Sequence, residues 1–325
     1  MSAGCVIGVD LGGTKLLAGV VDERLDVHHR AFRRSCEGRD SDALLRSIVD
    51  AVEEARQAAG GEVLAVGFGI PSLVDHRRGF AAHTVHLPLR DVAFRDLMAE
   101  RLGLPVVVDN DANAALVAEH RRGAARGAGT AALLTLGTGI GGAIVADGRL
   151  VHGAHGGAGE WGHMVVDIDG PACTCGNVGC LEMLVSGSAI ARDALRVAST
   201  APDSALGRAL AAGQEITGML TTELAHDGDA AARDVIALAG TRLGVGIANV
   251  VNILNPEVVA VGGGVVAAGD LLLEPARRVV AERALRPSRD QVRIVPTRFG
   301  DASGMIGAAL LAMELVGLGG EQAAA

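Results

Sequence analysis

A segment rich in cysteine and glycine, EWGHMVVDIDGPACTCGNVGCLE at 160–182, constrains the fold of this chain more than any other stretch. We call it the cysteine loop. One imidazole and three thiolates suit Zn²⁺ in a tetrahedral site, and short cysteine spacings favour a metal over simple packing. Four protein ligands fill the coordination shell, so we expect a structural zinc ion with no position for an activated water. The candidate ligands are His163, Cys173, Cys175 and Cys180.

The cysteine loop begins and ends with a carboxylate, Glu160 and Glu182. A bound zinc ion would hold both of them, together with His163, on one rigid loop. This arrangement predicts a small-molecule site beside a structural metal. The alternative is that the thiols are unrelated buried side chains with a histidine nearby by chance.

Composition excludes several classes of protein. The 325 residues are enough for two domains with hydrophobic cores. A hydrophobic content of 49% with 21% charged residues indicates a globular chain rather than a disordered one. The net charge of −9 argues against a nucleic-acid surface. Only 2% of residues are aromatic, so we expect cores of Val, Leu, Ile and Ala.

The N-terminal residues contain neither a basic segment nor a signal-like apolar segment. We also expect no apolar run long enough to cross a membrane. The sequence therefore predicts a cytoplasmic protein without a membrane partner. Cys5 and Cys36, which lie outside the cysteine loop, are expected to be free thiols.

Two glycine turns each lie between two predicted strands. The first turn follows the strand Val6–Asp10 and precedes Leu16–Val21, and the second lies between Ala131–Leu136 and Ala143–Val145. A strand rather than a helix follows the first turn, so it is not a P-loop. Backbone N–H groups in such turns can bind phosphate, and the pair predicts a duplicated phosphate clamp. The turn residues are Gly12, Gly13, Thr14 and Lys15 in the first, and Gly137, Thr138 and Gly139 in the second.

A cluster of polar residues lies where the predicted strand Val106–Val108 gives way to a helix. Ligands bind at such strand ends in open α/β sheets. A helix cap requires one Asp or Asn, whereas this junction supplies three in a row, which favours a functional role. They are Asp109, Asn110 and Asp111. At another strand end, Asp10 could hold Mg²⁺ through water.

Further hydrophobic patterns outline an alternation of strands and helices. The glycines Gly262–Gly264 follow the strand Val258–Val261, and either a ligand approach or a plain loop explains them. Strands are expected at 63–70 and 292–296, and helices at 41–59, 91–102, 271–285 and 302–315 and within 186–250.

Six motifs in order give the chain a family resemblance over nearly its whole length. They are DLGGTK at 10–15, VDNDANAA at 108–115, LTLGTGIGG at 134–142, GEWGH at 159–163, CTCGNVGCLE at 173–182 and VGGGV at 261–265. With this set the chain resembles the ROK family of sugar kinases, and its bacterial glucokinase type in particular.

The resemblance implies an α/β fold of the actin/hexokinase-like (ribonuclease H-like) class, with two domains and a cleft between them. The smaller domain would comprise residues 1–115 plus 301–325. The larger would comprise residues 116–300 and carry the cysteine loop. A homodimer or homotetramer is also implied.

The resemblance further implies ATP-dependent phosphorylation of a hexose, most simply the 6-hydroxyl of glucose, with Mg²⁺ accompanying ATP. Asp111 is similar to the family's general base. The two glycine turns resemble its phosphate loops, and Gly262, Gly263 and Gly264 its adenosine-side motif. The implied sugar ligands are Asn110, Glu160, His163 and Glu182.

Two departures from the family pattern bear on the choice of sugar. Ser72 replaces a glycine in the turn GIPS, and the segment HTVHLPLRDV at 83–92 has His86 and Leu89 where the family often has Asn and Trp. A kinase for fructose, mannose, allose or N-acetylmannosamine would share nearly every motif.

The sequence also leaves open polyphosphate as the phosphoryl donor, a sugar-sensing regulator on the same fold and an actin-like filament protein. The acidic charge and the start of the first strand at Val6 disfavour a DNA-binding regulator. A filament protein does not require a cysteine loop beside an Asn110–Asp111 site, so the kinase remains the leading hypothesis.

Overall fold

The computed structural model of the chain describes residues 4–13, 15–34, 40–83 and 87–318. Thr14, Cys36 and His86 lie outside the described residues, as does the end of the predicted small domain at 319–325. Cys5 is a buried free thiol, as predicted.

The described residues form mixed α/β structure. The strands are β1 (Cys5–Leu11), β2 (Lys15–Val21), β3 (Val27–Arg34), β4 (Val63–Ile70), β5 (Leu73–Asp75), β6 (Phe80–His83), β7 (Arg90–Val92), β8 (Val106–Asn110), β9 (Ala131–Leu136), β10 (Ile140–Ala146), β11 (Arg149–Leu150), β12 (Val258–Gly262) and β13 (Arg293–Pro296). The helices are α1 (Ser41–Ala58), α2 (Phe94–Leu102), α3 (Asp111–Arg122), α4 (Glu182–Val185), α5 (Gly187–Thr200), α6 (Ala205–Ala211), α7 (Gly218–His226), α8 (Ala230–Leu254), α9 (Asp270–Arg283), α10 (Ser288–Gln291) and α11 (Ser303–Leu315).

The first sheet has the strand order β3-β2-β1-β4-β8. Strands β1 and β2 are antiparallel, whereas β4 is parallel to both β1 and β8. Alternate residues of β1 enter different clusters, because successive side chains of a strand point to opposite faces. Ile7 and Val9 pack in the cluster that includes α1 and α2, and Val6 packs with α11.

Glycines let α11 approach the first sheet closely. A Cβ atom on Gly8 would lie 2.0 Å from the carbonyl oxygen of Met305, and one on Gly67 would lie 1.8 Å from that of Ala308. These contacts explain why small residues on β1 and β4 accompany the small residues of α11.

The second sheet has the order β11-β10-β9-β12-β13, with β12 parallel to both β9 and β13. Each sheet therefore contains two consecutive strands joined by a glycine turn, next to parallel strands from later in the chain. The prediction that both glycine turns lie between neighbouring strands is confirmed.

Several short or charged strands were not predicted. Strands β5, β6 and β7 form a third sheet, and Val92 pairs with Ala81, so the helix predicted from 91 begins at Phe94 instead. Strand β3 is an edge strand in which only Ala31 is buried, so its hydrophobic pattern is weak. Antiparallel pairing with a neighbouring strand, rather than hydrophobic pattern, determines these elements.

The expectation that no apolar segment is long enough to cross a membrane is wrong for α8. By length and hydropathy alone, this helix of 25 residues could span a bilayer. However, 56% of its most apolar window is buried inside the protein, as in the core helix of a water-soluble fold. The finding is weak evidence for a membrane.

The chain divides into two compact units. The first comprises Met1–Gly127, Ala143–Ala158 and Ala302–Ala325, and the second comprises Ala128–Gly142 and Gly159–Asp301. The domain boundaries expected from the family resemblance stay a prediction.

Candidate active site

The glycine turn of the first unit connects β1 to β2. The backbone N–H of Gly12 donates to the carbonyl oxygen of Lys15 at 2.7 Å, which closes the turn, and Gly13 is exposed at its tip. The strands on either side are in register, with Leu11 opposite Leu16.

The carboxylate of Asp10, near the end of β1, lies against the first turn of α11. A Cβ atom on Gly304 would lie 2.6 Å from the Asp10 carboxyl carbon, so a larger residue there would have to displace this side chain. The carboxylate of Asp10 thus lies next to the start of α11. Whether it holds Mg²⁺ stays a prediction.

The junction between β8 and α3 places Asn110 as the helix N-cap and Asp111 in the first turn. The Asn110 Oδ1 atom accepts hydrogen bonds from the backbone N–H groups of Ala112 at 2.9 Å and Asn113 at 3.2 Å. One carboxylate oxygen of Asp111 accepts from the N–H of Ala112 at 2.9 Å. Part of the polar cluster therefore serves as a helix cap, and Asp111 remains half-buried at the helix start.

Ser72 and Asn110 are joined by a hydrogen bond. The Asn110 Nδ2 atom donates to the carbonyl oxygen of Ser72 at 3.3 Å. Ser72 is buried, its φ angle is not positive, and its hydroxyl donates to the carbonyl oxygen of Leu73 at 3.1 Å. The serine that departs from the family's glycine is thus accommodated without backbone strain.

The glycine turn of the second unit is held by the start of α5. The N–H of Gly187 donates to the carbonyl oxygen of Gly137 at 2.8 Å, and the hydroxyl of Ser188 donates to that of Thr138 at 3.1 Å. Ser186 caps α5 and contacts Ser188. Sequence reasoning missed both serines, because no local motif connects them to a turn some 50 residues earlier.

The glycines Gly262–Gly264, at the end of β12, lie beside the same turn. Gly262 pairs with Thr135 of β9, and a Cβ atom on Gly263 would lie 2.4 Å from the carbonyl oxygen of Leu136. Gly263 also has φ of +84°, so glycine is required there, whereas Gly264 faces open space. The structure thus brings the triplet next to Gly137.

The cysteine loop brings its four predicted ligands together. The ligand atoms of His163, Cys173, Cys175 and Cys180 all lie within 4.8 Å of one another. Cys173 Sγ is 3.8 Å from His163 Nδ1, and Cys175 Sγ is 3.7 Å from Cys180 Sγ. These separations match the edge of a tetrahedron around Zn²⁺, about 3.8 Å between sulfurs for a Zn–S distance of ~2.3 Å. The donor set therefore fits zinc.

Tight backbone turns shape this cluster. Gly176 has φ of +94°, and a Cβ atom on Gly179 would lie 1.5 Å from the carbonyl oxygen of Asp167. Burial raises the pKa of Cys180 to about 12, whereas the backbone N–H of Asn177 lowers the pKa of Cys175. A cation bound between these sulfurs would favour the thiolate form of both.

His163 faces the cysteines with Nδ1 and Glu160 with Nε2. The Nε2 atom is 4.0 Å from the Glu160 carboxylate, and Glu160 precedes the 3₁₀ turn Trp161–His163. Desolvation raises the pKa of the Glu160 carboxyl, nearby Glu182 raises it further, and His163 opposes the shift. Metal binding through Nδ1 would leave Nε2 on the Glu160 side.

Glu182 contacts the second glycine turn directly. Its Oε2 atom accepts a hydrogen bond from the N–H of Ile140 at 2.8 Å, and a Cβ atom on Gly139 would lie 2.5 Å from that oxygen. The sequence predicted a sugar ligand here and did not predict this contact.

The predicted site residues are thus distributed over both units. The first carries Asp10, Gly12, Gly13, Lys15, Asn110 and Asp111, and the second carries Gly137, Thr138, Gly139, Glu160, His163, Glu182 and Gly262–Gly264. Within the second unit, the turn, the triplet and the cysteine loop are connected by the contacts described above. Their roles in binding and catalysis stay predictions.

Known proteins resemble this chain over nearly all of its length. The model of the ROK family matches residues 6–315. A glucokinase of Halalkalibacterium halodurans is 36% identical over 94% of both chains. The solved structure of a ROK family glucokinase from Streptomyces griseus, in complex with glucose and AMPPNP, is 35% identical and has a TM-score of 0.87, covering 96% of this chain and 100% of that one. A putative xylose repressor of a Caldicellulosiruptor species is 32% identical, over 94% of this chain and 77% of the repressor.

These comparisons confirm the actin/hexokinase-like fold expected from the sequence. The motifs at 10–15, 108–115, 134–142 and 159–182 all lie within the matched residues. The chain belongs to the ROK family.

Proposed function

We propose that this chain is an ATP-dependent hexose kinase of the glucokinase type, which transfers the γ-phosphoryl group of ATP to the 6-hydroxyl of glucose. The observation that carries this proposal is its similarity to glucokinases along almost the whole of both chains. The local geometry of both units is compatible with this chemistry.

Asp111 is the proposed general base. A sugar hydroxyl is a weak nucleophile, so a carboxylate within reach assists by accepting its proton as the O–P bond forms. The bond between the γ-phosphorus and the oxygen of ADP breaks in the same step. The position of Asp111 at a helix start, where Asn110 caps the backbone, supports this role because it fixes the carboxylate on a rigid element.

The two glycine turns are the proposed phosphate sites. Backbone N–H groups in such turns donate to phosphate oxygens and stabilise the charge that spreads over them during transfer. Thr14 and Thr138 would add hydroxyl groups, and Lys15 a positive charge. Gly262–Gly264 are the proposed adenosine-side motif, in which Gly264, whose Cβ position faces open space, would let a flat group approach the backbone.

Asn110, Glu160, His163 and Glu182 are the proposed sugar ligands. Carboxylates and amides can bind adjacent hydroxyls, and a buried group left unpaired penalises the wrong epimer. When bound, zinc would hold His163, Cys173, Cys175 and Cys180 together and so orient the imidazole. Mg²⁺, when bound with ATP, would neutralise phosphate charge, and Asp10 could hold it through water. A cytoplasmic location and a homodimeric or homotetrameric state remain part of the proposal.

ADP release with Mg-ATP across glucose, mannose, fructose, allose and N-acetylmannosamine tests this function, and polyphosphate is assayed as a second donor. We expect the highest kcat/KM with glucose. Preference for another sugar would indicate that the altered segment 83–92 determines the specificity. Sugar binding without turnover with either donor would refute the kinase and favour a sugar-sensing regulator, and a putative xylose repressor is among the relatives.

A further inference from the structure

Asp109, directly before the Asn110–Asp111 pair, is a buried carboxylate to which the mechanism above gives no role. It is 4% exposed. Its Oδ1 atom accepts hydrogen bonds from the N–H of Asn110 at 2.7 Å and from Nδ2 of Asn113 at 2.8 Å. Its Oδ2 atom lies 2.7 Å from Nε2 of His152. One carboxylate therefore contacts both the backbone of Asn110 and, through Asn113, the first turn of α3.

His152 comes from a separate segment of the same unit, after β11. Its ring stacks on that of His76, with ring centroids 3.7 Å apart and planes at 14°. The neighbouring backbone is fixed, since the N–H of Val151 donates to Ile144 and that of Ala158 donates to His152. His76 follows β5, so three segments distant in sequence meet here, with His152 between Asp109 and His76.

The chemistry of the two groups gives the hydrogen-bonding roles in the contact between Asp109 and His152. An ionised carboxylate only accepts hydrogen bonds, so Nε2 of His152 must carry the proton of the 2.7 Å contact. Protonation of both stacked rings would place two positive charges close together, which is unfavourable. Burial lowers the pKa of His76, and its neighbours His152 and Arg77 lower it further, against Asp109 and Asp75. The lowered pKa favours the neutral form of His76, whose ring packs flat against that of His152.

We propose that His152 is a positioning residue for the kinase reaction, held between Asp109 and the ring of His76, and that through Asp109 it fixes the backbone of Asn110 and thereby the carboxylate of Asp111. The inference rests on the proposed function for its catalytic consequence. It adds a residue that none of the six family motifs contains.

The alternative is that the histidine pair only stabilises the fold. If the contact is purely structural, its loss lowers the melting temperature, and glutamine in place of His152 restores no more activity than alanine does. A positioning residue behaves differently, because small displacements of a catalytic group reduce kcat while substrate contacts persist. A donor that can still reach Asp109 should then restore part of the rate.

The test compares His152→Ala, His152→Gln and His76→Phe with the wild-type chain. We expect His152→Ala to lower kcat about 10- to 100-fold with little change in the KM for ATP. His152→Gln keeps a donor and should recover much of this loss, and His76→Phe keeps a flat ring and should retain most of the rate. The matched control is His28→Ala, since His28 also contacts a carboxylate, that of Asp22 at 2.8 Å, but on the surface.

A kcat for His152→Ala within twofold of wild type would overturn the inference. Equal losses in the alanine and glutamine variants would also overturn it, and so would an effect confined to the KM of the sugar, which would make His152 a binding residue.

Backbone amide NMR separates this inference from the proposed function. Without any substrate, His152→Ala should shift the amide signals of residues 109–113, and His152→Gln should shift them less. Unchanged signals would refute the positioning role even in an active enzyme. An inactive wild type with these shifts would refute the kinase assignment and leave the coupling through Asp109 intact.

Discussion

Glu182 accepts a hydrogen bond from the backbone N–H of Ile140 at 2.8 Å, which ties the last residue of the cysteine loop to the turn Gly137–Gly139. The carboxylate packs so closely that a side chain at Gly139 would collide with it. In the proposed enzyme, one residue would thus connect a sugar-binding loop to a phosphate-binding turn inside the second unit.

This contact predicts a double effect for Glu182→Ala. Loss of the acceptor leaves the Ile140 N–H without its partner and loosens the turn, so KM should rise for ATP as well as for the sugar. Glu182→Gln keeps an acceptor and should preserve the KM for ATP better. Steady-state kinetics with each substrate varied measure both, and Glu215→Ala, at an exposed position, is the control. An ATP KM equal to wild type in the alanine variant would contradict the connection.

Asp111→Asn should lower kcat by a factor of about 10² to 10⁴, the range expected for loss of a general base. The amide keeps the shape of the side chain, so glucose binding measured by calorimetry should persist. Asp50→Asn, on the exposed face of α1, is the matched control. Substantial turnover in the Asp111 variant would remove it as the base.

Cys175→Ala should release the metal and lower thermal stability. With three ligands left, the cluster loses both the tetrahedral geometry and the thiolate that its backbone contacts favour. Metal content by mass spectrometry and the melting temperature check this, and Cys5→Ala, a buried free thiol outside the loop, should retain the metal. Zinc at wild-type stoichiometry in the Cys175 variant would refute the assigned ligand set.

Local features of this protein were readable from its sequence because short-range pattern determines them. Glycine between two apolar runs gives a hairpin turn, and the spacing of Cys173, Cys175 and Cys180 allows one loop to converge on a metal. The helix at 41–59 was predicted within one residue at its end, since its apolar face and the cap Asp40 are both local.

Contacts between distant segments were not readable in the same way. His152 reaches Asp109 across 43 residues, and no period or motif connects them. Strand β7 was missed for another reason, because it has only three residues and is defined by pairing of Val92 with Ala81 on the preceding strand. The residues that sequence reasoning missed at the candidate site, such as His152 and Ser188, are therefore those that contact the motifs rather than the motifs themselves.

Gly67→Ala should destabilise the first unit. The new Cβ atom would lie 1.8 Å from the carbonyl oxygen of Ala308, so α11 must shift away from β4. Overpacking of this kind costs about 1–3 kcal/mol, and more when backbone is forced to move. Thermal and urea unfolding measure the change. Gly60→Ala is the control because no atom lies within 4 Å of its Cβ position, and equal stability of the two variants would contradict the close approach of α11.

Glu160→Gln should stabilise the protein at neutral pH and impair sugar binding at the same time. The pKa of Glu160 is raised in the folded state, chiefly by desolvation and further by Glu182, so ionisation costs the folded chain more than the unfolded one. This penalty is fully present above the folded pKa. It disappears as the pH falls below the unfolded pKa, because the carboxyl is then protonated in both the folded and the unfolded state. The melting temperature of Glu160→Gln should therefore exceed that of wild type at neutral pH and approach it in acid, whereas Glu215→Gln should show no such pH-dependent difference. In the wild type, the KM for the sugar should rise as the pH falls through the raised pKa of Glu160, at a higher pH than an ordinary glutamate would give. A stability difference that is independent of pH would show that the carboxylate is not desolvated in the folded protein.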